Sequence, residues 1–414
     1  MPPPPALDVY SADQLTGALA RSDVHEGDFL FGYVAECPPK HAVSLTMPVV
    51  RDQYDSMNTV HPIFEMNLPE GALLEKLRLR FAKAIPNFDD LALLGIVGQS
   101  QIGRLRYARA GTNLAEPAAE NLQTLLTYKG AEDLFAQLLE RYASHSGVSG
   151  IQPKVLVRAE DDNPDRITHR STTHIVKSFD PNEYAELAAN EYFCTRAAIH
   201  AGLPTVRLRL SDNRRLLIAD RFDLRKDGSY LGVEDFCVLN ALRSHGRYDG
   251  SYELIARRIR EFVSPKEIAP ALGQLFLTVA LCCAIENGDA HLKNFAIVYE
   301  DAQGTVTLAP AYDLVCTTVY VSDDSMALTL NGSKAFPTAK ELESFARLHC
   351  DLPPARAKKA LQRVAAGVAR SAQEIREYAG RHRDFEKAAD RLIARFSHGL
   401  QRLGINERLG ISMT

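Results

Sequence analysis

The chain has 414 residues, of which 46% are hydrophobic and 24% charged, with a net charge of −4. This composition is typical of a globular protein with two or three lobes, and it excludes a disordered chain or a strongly basic nucleic-acid-binding protein. No apolar run reaches the ~18 residues of a membrane helix, and the start "MPPPPALDVY" lacks the features of a signal peptide. We therefore expect a cytoplasmic protein that does not enter a membrane.

The cysteines fit the same expectation. Their number is odd and no C-x-x-C pair occurs, which argues against a disulfide framework or a zinc site. We expect reduced cysteines in the core. They are Cys37, Cys194, Cys237, Cys282, Cys283, Cys316 and Cys350.

The N-terminal part, residues 7–110, alternates short apolar runs with one helical segment. "DFLFGYVAE" and "AVSLTM" are strand-like, "ALLEKLRLRFAKAI" has helical spacing, and "GIVGQSQIGRLRYA" is rich in turn residues. Residues 111–144 are predicted to be a linker, with 112–118 as its extended part, followed by helical spacing over 119–143.

Residues 145–225 have the pattern strand, strand, helix, strand, strand. A Gly/Ser-rich loop precedes the strand that contains Val155 and Val157, and "THIVKSF" is the second strand. Residues 183–201 are predicted to be a helix that Gly202 closes. "VRLRLS" and "LLIADRFD" are predicted to be an antiparallel pair around the turn "DNRR".

Residues 226–414 are mainly helical. The clearest helices are 251–263 and 270–287, and the second is almost wholly apolar at i, i+3, i+4 spacing. A hairpin follows, with strands 295–299 and 305–309, and residues 338–403 are predicted to be several amphipathic helices.

The apolar helix runs into the polar stretch "IENGDAHLKN", residues 285–294. Phosphoryl transfer from ATP to a hydroxyl needs a base, oxygen ligands for Mg²⁺ and a cation for the phosphates. Asp289 and Asn294 have the D-x-x-x-x-N spacing of a kinase catalytic loop, and Asp313 follows the hairpin. Upstream, the loop 146–154, Lys177 and Glu191 occur in the order expected of the other half of such a site.

These segments resemble one known family. "SGIQPK", "THIVK", "NEYF", "ADRFD", "GDAHLKNF" and "PAYDL" closely resemble the HipA family of serine/threonine kinases, the toxins of bacterial HipBA-type toxin–antitoxin modules. "AVSLTMPV", "PIFEMNLPEG" and "FDDLALLGIVGQSQIGRLR" resemble the N-terminal subdomain of that family. The resemblance covers most of residues 7–320.

The resemblance implies an α+β, two-lobed protein-kinase-like fold with an N-terminal subdomain at 7–110. The kinase N-lobe would then be 145–225 and the helical C-lobe 226–414. It also implies site roles, in which Asp289 is the catalytic base and Asn294 and Asp313 bind Mg²⁺. Lys177 would contact ATP, held by an ion pair with Glu191. The loop from Ser149 to Lys154 would lie over the phosphates, and the backbone of Asp220 to Phe222 would form the hinge that holds adenine. The remaining ATP-binding positions would be Ser149, Gly150, Ile151, Gln152, Pro153, Lys154, Asp220, Arg221, Phe222, His291, Lys293 and Tyr312.

The loop serines are candidates for regulation. Members of the family are switched off when a serine of this loop is phosphorylated, because about −2 of charge then competes with ATP phosphate. The usual position falls on Gly147 here. Ser149 is therefore the first candidate for autophosphorylation and Ser146 the second, with ordinary turn serines as the alternative.

Several ordinary explanations compete with these roles. Lys177 taken alone fits a strand-end lysine that reaches solvent, Glu191 could face solvent, and Asp289 with Asn294 could be a solvated helix end. Asp289 and His291 could instead belong to a metal-dependent hydrolase. The basic residues Arg356, Lys358, Lys359 and Arg363 are predicted to lie on solvated helix faces.

The resemblance implies an ATP- and Mg²⁺-dependent serine/threonine protein kinase that arrests growth. Its target would be a translation component such as an aminoacyl-tRNA synthetase. Its partner would be a small helix-turn-helix, HipB-like antitoxin that supplies most of the contact with operator DNA. Two alternatives stay open: a small-molecule phosphotransferase, and a catalytically silent co-repressor.

Overall fold

The computed structural model describes residues 6–83, 85, 88–112, 117–128, 133–149, 152–160 and 172–405. The chain forms two compact units. The first contains residues 1–178, 211–245 and 297–306, and the second contains 179–210, 246–296 and 307–414. The predicted division at residues 110, 144 and 225 is finer than this division into two units, and it stays a prediction.

The described elements up to residue 142 are four strands, three α-helices, two more strands and two more α-helices. In chain order they are β1 Ala6–Ser11, β2 Gln14–Arg21, β3 Phe29–Tyr33, β4 Gln53–Ser56, α1 Pro62–Glu65, α2 Gly71–Phe81, α3 Asp90–Val97, β5 Leu105–Arg109, β6 Ala119–Asn121, α4 Leu122–Thr127 and α5 Leu134–Tyr142.

The remaining elements include the long helices of the second unit. They are β7 Lys154–Glu160, β8 His174–Ser178, α6 Leu187–His200, β9 Leu208–Leu210, β10 Leu216–Asp220, β11 Gly232–Asp235, α7 Phe236–Leu239, α8 Tyr252–Phe262, α9 Ile268–Ala284, β12 Ala296–Tyr299, β13 Val306–Leu308, α10 Ala339–His349, α11 Pro354–Arg381 and α12 Glu386–Arg402.

The first sheet has the strand order β4-β3-β2-β1-β5, and its neighbouring strands are antiparallel. Alternate residues of β1, Leu7 and Val9, are buried against α3, as expected for a sheet with one covered face. Gly17 on β2 lies against the Phe31 ring, and a Cβ there would come within 2.6 Å of a ring carbon. Only glycine leaves room for that ring.

The second sheet contains β6, β7, β8 and β10 as neighbours in that order. β6 and β7 are parallel, whereas β8 is antiparallel to both β7 and β10. Val155, Val157 and Val176 point to one face and are buried with apolar residues of α4 and α5. The alternation seen in the sequence thus forms the core that supports β7 and β8.

The helices of the second unit pack around α9. The α9 residues from Leu275 to Ala284 are all buried, so the sequence prediction of a core helix is confirmed. α6 ends at the predicted Gly202, which has φ +73° and suits the left-handed C-terminal position. Arg363 of α11 donates to Ala201 O at 2.9 Å and to Gly202 O at 3.0 Å.

The basic residues near the start of α11 do not all have the same role. Arg356, Lys358 and Lys359 are exposed, as predicted for a solvated helix face. Arg363 is exposed as predicted too, and its guanidinium also caps the end of α6. Periodicity could place Arg363 on an outer face but could not reveal the carbonyl groups that it meets there.

Three local predictions in the first unit were wrong. Residues 42–47 form a turn with a single bridge between Ser44 and Met47 and not a strand. The stretch 95–108, predicted as turns, contains the end of α3 and most of β5, and residues 119–121 form β6 and not a helix. For β5 and β6, pairing with a distant strand outweighs the local composition.

The prediction for the cysteines is confirmed. All seven cysteines are free and buried, as expected of reduced core residues. Across the described ranges, no helix is both long and apolar enough to span a membrane.

Candidate active site

The polar stretch after α9 is a loop whose backbone is held at several points. Asn287 N donates to Cys282 O at 2.8 Å, and Gly288 N donates to Thr317 Oγ1 at 2.8 Å. A Cβ on Gly288 would come within 2.1 Å of an Asp324 carboxylate oxygen and 2.6 Å of Ser325 O. The segment that follows the predicted metal-binding aspartate therefore packs directly under the loop.

Asp289 lies at the tip of this loop with an exposed side chain. Its Oδ1 accepts a hydrogen bond from the Tyr248 hydroxyl at 2.9 Å. Surrounding protein atoms replace part of its water and raise its pKa above the usual range, and the charge of Asp313 acts in the same direction. A carboxylate that substrate can reach and that binds a proton more readily than usual suits a general base.

His291 is buried beside Asp289. Loss of hydration lowers the pKa of His291 to about 4, so the ring is neutral at pH 7. Its ring meets the Tyr248 ring edge to face, with centroids 5.2 Å apart. Its Nδ1 has no hydrogen-bond partner among the described residues.

Asn294 ends a short 3₁₀ turn, Leu292–Asn294. Its Oδ1 accepts from His291 N at 3.0 Å, which fixes the orientation of the amide. Its Nδ2 lies 3.5 Å from Asp313 Oδ2, so the structure brings the two predicted metal ligands together. Both supply oxygen atoms of the kind Mg²⁺ prefers, and a kinase needs few protein ligands because phosphate and water complete the shell.

Asp313 has φ +54°, in the left-handed region that a non-glycine residue seldom adopts. Next to it, the Tyr312 hydroxyl donates to Lys293 O at 2.8 Å and ties this turn to the catalytic loop. A strained residue held by neighbouring bonds is typical of functional sites.

Among the described residues, no group of three or more His, Cys, Asp or Glu side chains is arranged to hold a metal ion. The hydrolase alternative for Asp289 and His291 thus finds no supporting cluster of ligands among these residues.

Glu286 anchors the start of the loop. It is 1% exposed with φ +54°, and it joins Thr318, Arg395, His398 and Arg402 in what we call the Glu286 cluster. Oε1 accepts from His398 Nδ1 at 2.6 Å and from Arg402 at 2.8 Å, while Oε2 accepts from Thr318 at 2.8 Å. Helix α12 thereby holds the residue three positions before Asp289.

Glu191 lies on α6 within the same unit and is 2% exposed. The alternative that it faces solvent is therefore wrong. The preceding residue, Asn190, donates to Cys316 O and accepts from Cys316 N, both at 2.9 Å. The helix that carries Glu191 is thus fastened to the segment after Asp313, and its ion pair with Lys177 stays a prediction.

The predicted phosphate-binding lysines lie in the first unit. Lys154 of β7 and Lys177 of β8 are directly opposite each other in the antiparallel register, and they are 7% and 4% exposed. Lys177 is therefore not a strand-end lysine that reaches solvent. Residues directly opposite each other in a sheet point to the same face, so the register places these two lysines side by side. Their contact with phosphate stays a prediction.

The Gly/Ser loop before β7 is partly described. Ser146 is fully buried, and its hydroxyl donates to Tyr142 O at 2.8 Å and accepts from Leu156 N at 2.9 Å. This position does not favour phosphorylation of Ser146, whereas Ser149 is half-buried. Gln152 and Pro153 are half-buried at the start of β7, and Gly150 and Ile151 lie outside the described residues.

The predicted hinge, Asp220 to Phe222, follows β10. Arg221 N already donates to Thr173 O at 3.1 Å, so an adenine base would use other backbone groups of the hinge. The Arg221 side chain is buried and binds both carboxylate oxygens of Asp223, at 3.0 and 2.6 Å. Its side chain thus has a structural role in the first unit.

Sequence reasoning missed Tyr248 and gave no role to Glu286. Glu286 carried a usable signal, since a charged residue that follows the apolar residues of α9 and Ile285 needs a partner when it is buried. Tyr248 carried none, because it lies 41 residues before Asp289 in sequence.

Family models match two regions of the chain. The HipA N-terminal domain matches residues 7–108, and the HipA-like C-terminal domain matches residues 146–372, more than half of the chain. A solved structure of Shewanella oneidensis MR-1 HipA, in complex with HipB and its operator DNA, superposes with a TM-score of 0.69 at 18% identity. The match covers 96% of this chain and 98% of that chain.

Two curated relatives from Sinorhizobium fredii (strain NBRC 101917 / NGR234) are also similar. "Putative kinase Y4mE" is 29% identical over 282 residues, 64% of this chain and 66% of the relative. "Putative kinase Y4dM" is 29% identical over 168 residues, 37% of this chain and 40% of the relative. The aligned region thus spans less than two thirds of either relative.

The structural match shows the predicted fold, the two-lobed protein-kinase-like fold of HipA. The C-terminal match contains Lys177, Asp289, Asn294 and Asp313, and the N-terminal match coincides with the region in which the sequence resembled the same family. From these matches, the chain belongs to the HipA family.

Proposed function

We propose that this protein is an ATP- and Mg²⁺-dependent serine/threonine protein kinase, the toxin of a HipBA-like toxin–antitoxin module. The observation that carries the proposal is the catalytic loop of the second unit. There an exposed carboxylate with a raised pKa, Asp289, shares one short loop with Asn294, which lies 3.5 Å from Asp313. This is the set of groups that phosphoryl transfer to a hydroxyl requires.

In the proposed mechanism Asp289 orients the acceptor hydroxyl and accepts its proton. Asn294 and Asp313 would hold Mg²⁺, which neutralises charge on the phosphates when it is bound. His291 is neutral and buried, and it packs within the loop beside Asp289. Lys293 supplies a positive charge next to the metal ligand Asn294. Bonds from Thr317 and from the Glu286 cluster keep the loop in one geometry.

The nucleotide would use the first unit. Lys154 and Lys177, paired across β7 and β8, would contact the phosphates, and the backbone of Ser149 to Pro153 would lie over them. The backbone around Asp220 and Phe222 would hold the adenine. Ser149 is the proposed site of autophosphorylation, since a phosphate there would compete with ATP for the lysines.

Membership of the HipA family suggests both a partner protein and a class of substrate. The Shewanella relative is in complex with HipB and operator DNA, and we propose a HipB-like antitoxin that supplies the DNA contact for this chain. A net charge of −4 fits a protein that does not itself bind the DNA backbone over a wide face. The proposed substrate is a translation component such as an aminoacyl-tRNA synthetase.

The test is Asp289→Asn, which keeps the side-chain size and removes the base. Purified wild type and variant are incubated with γ-labelled ATP, Mg²⁺ and a bacterial lysate. Labelled protein and labelled metabolites are then separated. We expect Asp289→Asn to lower transfer to protein by about 10²–10⁴-fold, the usual contribution of a general base. Chelation of Mg²⁺ should abolish transfer.

Asp323→Asn is the matched control, because Asp323 is an exposed acidic residue of the same unit. It should transfer phosphate at the wild-type rate. Label found on a metabolite and not on protein would favour the small-molecule alternative. Growth arrest that persists in Asp289→Asn would contradict a catalytic toxin.

A further inference from the structure

One contact in the catalytic loop has no role in the mechanism above. The Tyr248 hydroxyl donates to Asp289 Oδ1 at 2.9 Å. Tyr248 is 40% exposed and rests edge-on against the His291 ring. An exposed tyrosine is thus hydrogen-bonded to one carboxylate oxygen of the candidate base.

A second tyrosine in the same segment has a different role. Tyr252, four residues later, is fully buried, and its hydroxyl donates to Ala290 O at 3.0 Å. Between the two, a Cβ on Gly250 would come within 3.4 Å of the Leu292 side chain, so the glycine allows the segment to lie close to the loop. Tyr252 therefore fixes the segment 248–252 to the catalytic loop, whereas the Tyr248 side chain lies at the surface and faces solvent.

The bond that Tyr248 makes is the one an acceptor must make. Before transfer, a substrate hydroxyl donates to the base, which then takes its proton. We propose that Tyr248 is a gate that fills the acceptor position on Asp289, and that an acceptor hydroxyl binds by displacing the tyrosine. This inference rests on the proposed kinase function and adds to it how the acceptor position is kept.

The gate has a chemical purpose. Water is also a hydroxyl donor, and with ATP bound it could take the acceptor position. Its oxygen would then form the new bond to the γ-phosphorus, Asp289 would take its proton, and the bond between the γ-phosphorus and the bridging oxygen would break to release ADP. Tyr248 excludes water from Oδ1 until a protein acceptor displaces it, and so limits wasteful hydrolysis.

Tyr248→Phe tests the gate because it removes the hydroxyl and keeps the ring against His291. ATP hydrolysis is measured with Mg²⁺ and without any acceptor protein. We expect kcat for hydrolysis to rise about fivefold, since one hydrogen bond no longer competes with water. KM for ATP should be unchanged, because the tyrosine lies at the acceptor side of the base.

Tyr184→Phe is the matched control. Tyr184 is 39% exposed and packs edge-on against Tyr320. It lies near enough to Asp289 to interact with its charge, but its hydroxyl bonds to Glu183, so loss of that hydroxyl should leave the acceptor position on Asp289 and the rate of hydrolysis unchanged. The double variant Tyr248→Phe/Asp289→Asn should return to background. A gain in rate that needs Asp289 is a readout that mere loss of structure does not produce.

The outcomes separate this inference from the proposed function. Hydrolysis that stays the same or falls in Tyr248→Phe, while transfer to protein depends on Asp289, overturns the gate and leaves the kinase. An equal rise in Tyr184→Phe also overturns it, as does phosphorylation of Tyr248 itself, which would make the hydroxyl a substrate. If no transfer to water or to protein depends on Asp289, the kinase function fails first.

Discussion

Two buried glutamates, one in each unit, show how the donors around a carboxylate decide its charge. Glu234 in the first unit is 0% exposed, and Glu286 in the second is 1% exposed. Each accepts three close hydrogen bonds. Yet the pKa of Glu234 lies above its ordinary value of 4.5, and that of Glu286 lies below it.

The donors explain the difference. Glu234 accepts from two hydroxyls and a backbone N–H, those of Ser44 at 2.6 Å, Tyr299 at 2.5 Å and Leu45 at 2.7 Å. These neutral donors and the charge of Arg104 lower the pKa of Glu234, but they do not offset the loss of water on burial. Burial raises the pKa of Glu286 too, but the bonds from Arg402, Thr318 and His398 outweigh it.

Glu234 and Glu286 therefore have different structural roles. Glu234 joins the turn at Ser44 to β11 and the β12 residue Tyr299, so it stabilises the first unit as a polar link. Glu286 is an ionised anchor that connects α12 to the loop of Asp289. The positive charge of Arg402 favours the ionised form of Glu286. Glu286 also lies three residues before Asp289, where a change in loop geometry would affect the chemistry.

The largest expected effect comes from comparing Glu286→Gln with Glu234→Gln. Glu286→Gln loses bonds to cationic donors that are partly exposed, and it should lower the free energy of unfolding of its unit by about 2–3 kcal/mol. Transfer should fall by about 10²-fold, since small displacements at a reacting group are costly. Glu234→Gln should cost under about 1 kcal/mol, because the amide oxygen can still accept from Leu45 N and Tyr299 while the NH2 group donates to the Ser44 hydroxyl.

Hydrogen exchange resolved along the chain measures each unit separately. Faster exchange of residues 285–294 in Glu286→Gln, with the first unit unchanged, is the expected pattern. Equal losses in the two variants would contradict the distinction between the two glutamates.

A smaller effect is expected from the arginines of the Glu286 cluster. Arg402 is 19% exposed and lies 2.8 Å from Glu286 Oε1, whereas Arg395 is 31% exposed and lies 3.9 Å from Oε2. Arg402 also donates to Cys283 O at 2.9 Å. Arg402→Gln should cost about 1–2 kcal/mol and Arg395→Gln under about 0.5 kcal/mol. Thermal shift of matched preparations checks the order, and a larger loss in Arg395→Gln would reverse it.

The smallest effect is the dependence of these losses on pH. A lowered pKa means that Glu286 stabilises the fold above pH 4.5, and that this contribution is lost as pH falls through the lowered pKa. The cost of Glu286→Gln should therefore shrink in acid. Glu234 has a raised pKa and favours the fold while protonated, so its contribution is lost as pH rises through that pKa.

Stability curves from pH 3 to pH 8 measure both trends. Glu234→Gln should be closest to wild type, or more stable than it, at the upper end of the range. Two variants that follow one common pH trend would show that the donors do not decide the charge.

Local signals in the sequence predicted much of the fold. Helix α9 was predicted from its apolar spacing, the end of α6 from Gly202, and the hairpin β12–β13 from its turn residues. The failures differ in kind: residues 42–47 close a local turn through the bridge between Ser44 and Met47, whereas residues 119–121 pair with the distant strand β7. Propensity reports local preference, and pairing partners far along the chain override it.

The candidate site shows the same limit. The spacing from Asp289 to Asn294, followed by Asp313, is readable because the residue types and their order are fixed by the chemistry of phosphoryl transfer. The contact between Asn294 and Asp313 confirms that the fold brings these two residues together. Their roles remain those of the proposed function.

By itself, the sequence determined the family, the apolar helix α9 and the polar loop that follows it, because these depend on residues close together in the chain. Only the tertiary structure decided which groups control that loop. Tyr248 reaches Asp289 from 41 residues away, and Arg402 reaches Glu286 from 116. No periodicity encodes such pairs, since they exist only after burial of apolar surface has brought distant segments together.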